Sequence, residues 1–435
     1  MISNKIDNSL VGNVQIPGDK SISHRSIIIP SISNGICKIS NLLESEDVLC
    51  TINAFKEMGV KIEKNSDNVI IYGNGLKSLK KPNKDLYMGN SGTSARLLTG
   101  LLSTQNFETT ITGDKSLSSR PMKRIASPLI AMNANIRTNN GYLPLTIVGK
   151  NLNNKTIDIE IPSAQIKSGV ILAAINTKGI TKVVEHNTTR DHTEIMLEAF
   201  NANIKINYND NKKIIEIDGE KELTSRDITV PSDLSSSAFF IVSAILHKDS
   251  KILLKNININ PTRDGILIAL KKMGAKISFT NKRKINNEEV CDIEVLSSEL
   301  NGCELEADIA KLMIDEYPIL SVAAAFAKTP SVFRGLSELR VKESDRLELI
   351  RANLQKCGVK CEIKSDDLYI FPNTEFNKNV ENIQTNYDHR IAMAFAVMGS
   401  KIGPIKIDDS DCIKTSFPSF IQEFNKLGGN IVWKK

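Results

Sequence analysis

The chain lacks what would tie it to a membrane, a disulfide scaffold or a nucleic acid. Its longest apolar stretches, around 238–246 and 322–327, are under half the roughly 20 residues needed to span a bilayer. The opening MISNKIDNSLVGNVQIPGDK holds no apolar signal core. Seven cysteines, an odd number, are scattered at 37, 50, 291, 303, 357, 361 and 412 with no CxxC pair. That pattern indicates neither a disulfide framework nor a zinc site. Lys and Arg outnumber Asp and Glu by only 56 to 50. With no long basic run or basic–aromatic block, nucleic acid is not the expected partner, and small acidic ligands suit the balance equally well. No GxxxxGK[ST] string occurs, which removes a P-loop. A reduced, soluble, cytoplasmic protein is expected.

What is present is ordinary globular composition, 41% hydrophobic and 24% charged over 435 residues, enough chain for two or three domains. One motif returns six times: an amphipathic helix end, then Gly or Asn, then a β-rich segment. The turn residues are Gly59, Asn133, Asn201, Gly274, Gly358 and Gly428. A helix commonly ends on a residue in the left-handed conformation, which Gly adopts freely and Asn at small cost. A second helix type, apolar nearly all round, follows a polar start: SGTSARLLTGLL (91–102), PSAQIKSGVILAA (162–174), PSDLSSSAFFIVSA (231–244), DEYPILSVAAAFA (315–327) and DHRIAMAFAVMG (388–399). Such helices read as buried. Helix–Gly–strand is also common α/β grammar, but matched second helices favour a true repeat of about 70 residues, with three units in each of two domains.

The polar motifs sit where buried helices begin, and several helix N-termini aimed together make an anion site. GDKSISHR (18–25) is echoed as GDKSLSSR (113–120). One copy alone reads equally as an exposed basic loop; the echo favours a site in which Lys20 and Arg25 hold phosphate or carboxylate and Ser21 donates to it. GNSGTSARLLTG (89–100) sets Gly89 and Gly92 before a helix, where backbone N–H groups can approach a ligand or simply turn the chain. RVKESDRLELI (340–350) is a solvated helix start or a catalytic cluster. Asp388 reads as an N-cap, with His389 and Arg390 in the first turn of an apolar helix. Asp315 is either another N-cap or a partly desolvated acid or base. Many cations with only two strong acid/base candidates suit a multiply anionic substrate pair.

In order and spacing, GDKSISHR, GNSGTSARLL, GDKSLSSRPMKR, SAQIKSG, RVKESDRL and DHRIAM resemble the 5-enolpyruvylshikimate-3-phosphate synthase family from about residue 10 to 425. The resemblance implies an α/β fold: a two-domain inside-out barrel of six βαβαββ repeats, three per domain. It implies one domain of residues 19–231, a second of 1–18 with 232–435, and an active site in the cleft between them. It further implies transfer of the enolpyruvyl group of phosphoenolpyruvate to the 5-hydroxyl of shikimate 3-phosphate, with no cofactor or metal, no membrane or nucleic-acid partner, and a monomer. By motif, Glu343 resembles the acid near C3 and Asp315 the base at the 5-hydroxyl, with Lys20 touching both substrates. Ser21, Arg25, Ser163, Gln165, Thr189, Asp315 and Lys342 match shikimate 3-phosphate contacts. Gly92, Arg120, Gln165, Arg346, His389, Arg390 and Lys414 match phosphoenolpyruvate contacts. Three departures stand out: Ala164 where some members carry Ser, Glu338 where some carry Asn, and Ser416 inserted in the Lys-Thr-Phe-Pro string. Glyphosate occupies the phosphoenolpyruvate site in this family. Ser91 in place of Ala, together with RPMKR and SAQIKSG, resembles the glyphosate-tolerant branch. Two rivals are an enolpyruvyl transferase acting on UDP-N-acetylglucosamine, which typically opens with Lys-Asn rather than Lys20-Ser21, and a non-catalytic anion-binding repeat scaffold.

Overall fold

A computed structural model describes residues 1–66, 68–210 and 212–433. The left-handed turns expected from sequence are all present: φ is +83° at Gly59, +76° at Asn133, +64° at Asn201, +96° at Gly274, +87° at Gly358 and +111° at Gly428. Each ends a helix and turns the chain into its next segment.

Among the described residues the strands form six four-stranded sheets. In one, Thr156–Ile159 runs parallel to Ile180–Glu185, which pairs antiparallel with Lys212–Asp218, which pairs antiparallel with Ile204–Asn209. Helices Ala164–Ala174 and His192–Ala199 fill the two crossings. The same order recurs in the sheets built on Glu108–Thr112 and Ser331–Phe333. The other three sheets borrow strands from distant sequence. Ile228–Thr229 lies parallel to Asn34–Ser40, Val11–Val14 parallel to Lys251–Asn258, and Ile2–Ser3 between Ile405–Ile407 and Ile431–Val432.

The chain forms two compact units. One is Gly18–Val230 with Ile285–Glu288; the other is Met1–Pro17, Pro231–Lys284 and Glu289–Lys435. Each has its own apolar core, built on three buried helices. In the 18–230 unit these are Lys20–Ser31, Gly92–Leu102 and Ala164–Ala174; in the other, Leu234–Leu246, Tyr317–Ala325 and His389–Ile402. Complete burial of a residue such as Leu97 or Phe240 contributes about 1.5–3 kcal/mol before entropy. Small residues let the helices close up. A Cβ on Gly100 would lie 1.8 Å from the carbonyl oxygen of Gly169 on the facing helix.

Two of the alternative readings fall away. GDKSISHR is not an exposed loop: Asp19 caps a helix at Ile22 N–H, and the helix is buried from Ile22 to Ser31. It is the sixth buried helix, hidden in the sequence by its polar first turn. Asp315 is not an N-cap. Glu316 takes that place before Tyr317 and Pro318, without a capping hydrogen bond, because the Asp315 side chain is drawn to cations.

Candidate active site

In the 18–230 unit, four helix starts carry the polar motifs. Lys20 pairs with Asp47 at 2.5 Å. Arg25 is almost fully buried, yet its guanidinium bonds only neutral oxygens: Thr193 Oγ1 at 2.6 Å, Ser168 Oγ at 2.7 Å and the Ser21 carbonyl at 2.8 Å. Burial pulls Arg25 down to about 10 against the nearby Glu194 and Asp19, which raise it, with Arg190 adding a smaller fall; it remains charged at neutral pH. With Glu194 and Asp19 near but its hydrogen bonds all to neutral oxygens, the buried guanidinium is well placed to take an anion as a direct partner. Behind it, Lys167 and Lys213 enclose Glu194 and Glu185. Lys167 bonds Glu194 at 2.8 Å, Glu185 at 3.0 Å and the Thr189 carbonyl at 3.2 Å. Thr189 is also tied through its hydroxyl to Glu185. Burial pushes Glu194 up, but the two lysines outweigh it and hold the carboxyl at about 2. Thr189 therefore stands on a rigid ionic base.

The second anion motif is a turn held from both ends. Arg120 donates to Asn90 through Nη2 to Oδ1 at 2.6 Å and Nη1 to the carbonyl at 3.2 Å, and to Ser116 Oγ at 2.9 Å. Asn90 in turn donates to Asp114 at 2.8 Å. Gln165 accepts from Arg96 at 2.6 Å and donates to Thr93 at 3.0 Å, which the close Gly100–Gly169 crossing makes possible. Ser163 caps the Gln165 helix through Ile166 N–H.

In the other unit, Arg346 is fully buried and gathers three carboxylates. Nε donates to Asp388 at 2.8 Å, Nη1 to Asp315 at 3.0 Å and Nη2 to Glu343 at 2.5 Å. Burial opposes its charge, but these carboxylates outweigh it and raise its pKa. Lys342 reaches Asp315 at 3.3 Å. Arg390 donates to the Asp315 carbonyl at 3.2 Å and to Glu316 at 3.5 Å. His389 meets Thr415 at 3.3 Å. Lys414 is half-exposed, paired with Asp411 at 2.6 Å and 5.7 Å from the Trp433 ring. The arrangement sets three carboxylates around one guanidinium, with Lys342 and Arg390 reaching Asp315. Among the described residues, no group of three or more His, Cys, Asp or Glu is placed to hold a metal ion, and no helix is long and apolar enough to cross a membrane.

The family model of EPSP synthase (3-phosphoshikimate 1-carboxyvinyltransferase) matches residues 5–424. The chain belongs to the EPSP synthase family. The 3-phosphoshikimate 1-carboxyvinyltransferase of Ruthia magnifica subsp. Calyptogena magnifica is 47% identical over 429 residues, 98% of either chain. That of Oceanobacillus iheyensis is 42% identical over 97% of this chain and 98% of its own. A solved EPSP synthase from Acinetobacter baumannii superposes with a TM-score of 0.85 at 41% identity, covering 98% of this chain and 97% of that one. The enolpyruvyl transferase NikO from Streptomyces tendae, 16% identical at a TM-score of 0.79, shares the fold.

Within this EPSP synthase family member, the structure brings Asp315, Glu343, Lys342, Arg346 and Arg390 into one connected cluster. It joins Arg25 to the Ser21 carbonyl and Thr189 to the Lys167–Glu185 pair, leaves Lys20 on Asp47, and sets Gly92, Arg120 and Gln165 around Asn90 and Arg96. Sequence reasoning missed Asp47, Arg190, Glu316 and the pairing of Asp388 with Arg346. Asp47 and Arg190 lie outside every recognised string and carry no local signal. Glu316 was legible only as the second acid of DEYP.

Proposed function

We propose that these acids and cations carry out an enolpyruvyl transfer. The reaction moves the enolpyruvyl group of phosphoenolpyruvate to the 5-hydroxyl of shikimate 3-phosphate and releases phosphate. Glu343 delivers a proton to C3, which makes C2 electrophilic. Asp315 accepts the 5-hydroxyl proton as that oxygen bonds to C2. The tetrahedral adduct then loses a C3 proton and its phosphate, giving the enol ether. Net, the hydroxyl proton leaves with phosphate, and the proton added at C3 is returned.

The cations neutralise two phosphates and two carboxylates. Arg25, Ser21, Ser163, Gln165, Thr189 and Lys342 serve shikimate 3-phosphate, and Arg190 joins them through its charge beside Arg25. Gly92, Arg120, Gln165, Arg390, His389 and Lys414 serve phosphoenolpyruvate, and Lys20 serves both. Arg346 is read as serving phosphoenolpyruvate mainly by orienting Asp315 and Glu343, since all three of its nitrogens are engaged by carboxylates.

The observation that carries this reading is that pair of acids on one buried guanidinium. A scaffold that merely binds anions has no use for carboxylates there. The chemistry asks for no metal or organic cofactor. On the same reading the chain acts as a monomer in the cytoplasm, which sedimentation and fractionation would test.

The decisive experiment is phosphate release with both substrates against each alone. Release that requires shikimate 3-phosphate and phosphoenolpyruvate together supports the reading. Equal release with UDP-N-acetylglucosamine in place of shikimate 3-phosphate would overturn it.

A further inference from the structure

Helix Glu46–Glu57 sits between two parts of the 18–230 unit. One face carries Asp47 and Thr51, four residues apart, which is one helical turn. Asp47 holds Lys20. Thr51 Oγ1 lies 2.8 Å from His24 Nδ1 and 2.6 Å from Ser94 Oγ. Ser94 Oγ lies 2.7 Å from Ser91 Oγ, and Ser91 Oγ accepts the Ser94 N–H at 3.1 Å. The four side chains form a continuous polar column through the core, each essentially inaccessible to solvent. Buried polar groups must satisfy one another, so each constrains the next, and the column is stiff in a way an apolar filling of the same space is not.

The column ends on the residue before Gly92, where there is no slack. A Cβ on Gly92 would meet Arg96 Nη1 at 2.7 Å and Arg120 Nη1 at 3.3 Å. A displacement of a few tenths of an ångström at Ser91 is therefore felt by both guanidiniums. At the other end, burial and the adjacent Lys20 and Arg25 lower the His24 pKa well below the ordinary value, so His24 is a neutral strut rather than another cation.

We infer that His24, Thr51 and Ser94 are positioning residues that fix the 89–92 turn and thereby set the affinity for phosphoenolpyruvate without touching it. This rests on the proposed role of that turn, so the test must separate the two. The experiment measures KM for each substrate and kcat in Thr51→Val, Thr51→Ser and Ser94→Ala, with thermal unfolding in parallel. Removing one hydroxyl leaves its buried partners unmatched. The expected result in Thr51→Val and Ser94→Ala is a phosphoenolpyruvate KM raised roughly 5–30-fold. The KM for shikimate 3-phosphate and kcat should stay within about threefold, and Thr51→Ser should restore the wild-type value. A folded Thr51→Val with unchanged phosphoenolpyruvate KM overturns the inference. So does an equal rise for both substrates, or a Thr51→Ser as impaired as the valine variant. Should Thr51→Val fail to fold, Ser94→Ala and Thr51→Ser decide by the same criteria. A wild-type chain that releases no phosphate overturns the reading of the site itself, and the inference with it.

Discussion

Gly92→Ala tests the turn from its other side. The new methyl would stand 2.7 Å from Arg96 Nη1 and 3.3 Å from Arg120 Nη1, both at the ends of long side chains. Ordinary contact begins near 3.4 Å, so the Arg96 head must retreat by about 0.7 Å. Its bond to Gln165 starts at 2.6 Å, so a retreat of that size along the bond carries it to about 3.3 Å, just past the roughly 3.2 Å edge of useful geometry. Hydrogen bonds to charged groups contribute about 1.5–3 kcal/mol, so the affinity change is roughly 10–150-fold if the bond is lost and less if Gln165 follows. Arg120 yields by only a few tenths of an ångström. Arg25, Ser168 and Thr193 are not involved. The expected outcome is a phosphoenolpyruvate KM raised about tenfold or more, a smaller change for shikimate 3-phosphate, and an unfolding midpoint within a few degrees of wild type. An inhibitor longer than phosphoenolpyruvate in the same pocket, such as glyphosate, should lose more affinity than the substrate does. Initial-rate phosphate release, with each substrate varied in turn, measures this. A phosphoenolpyruvate KM within twofold of wild type would refute the claim that Gly92 is tightly enclosed by the two guanidiniums in the working enzyme.

Three further outcomes are expected. Asp315→Asn and Glu343→Gln keep shape but cannot exchange the proton, so each should cut turnover roughly 100-fold or more in steady-state assays; near-wild-type turnover would remove that residue from its role. Glu194 is held at about 2 against an ordinary 4.5. Its depressed pKa contributes stability that is present above about pH 4.5 and lost as pH falls toward 2. Glu194→Gln should therefore flatten the acid limb of the stability curve measured by urea unfolding, and an unchanged limb would contradict the assignment. Ser91→Ala removes the cap on Ser94 N–H, costing about 1 kcal/mol. Wild-type inhibition by glyphosate should be weaker than in sequences reading GNAGT and should tighten in this variant, with tight, unaltered inhibition arguing against any influence of Ser91.

What the sequence determined by itself was whatever depends on neighbours along the chain. A left-handed helix end requires Gly or Asn at one position, so Gly59, Asn133, Asn201, Gly274, Gly358 and Gly428 announced the repeat. Uniform apolarity announced five buried helices, and polar strings at their starts marked the candidate site. The sixth helix escaped because Lys20 to Arg25 look solvated until Thr193 and Ser168, far along the chain, are packed against Arg25. The sheets needed the tertiary structure as well: no local pattern sends Ile2–Ser3 to pair with strands near the C-terminus. The same holds for charge. RVKESDRL could be read as a solvated helix start or as a catalytic cluster; besides its internal pair with Glu343, Arg346 is buried with Asp388, 42 positions away, and with Asp315, 31 positions away. Burial makes an ion pair matter, and burial is a property of what covers a residue. The tertiary structure therefore decided which charges answer one another, while the sequence decided only that they were present and where each helix would begin.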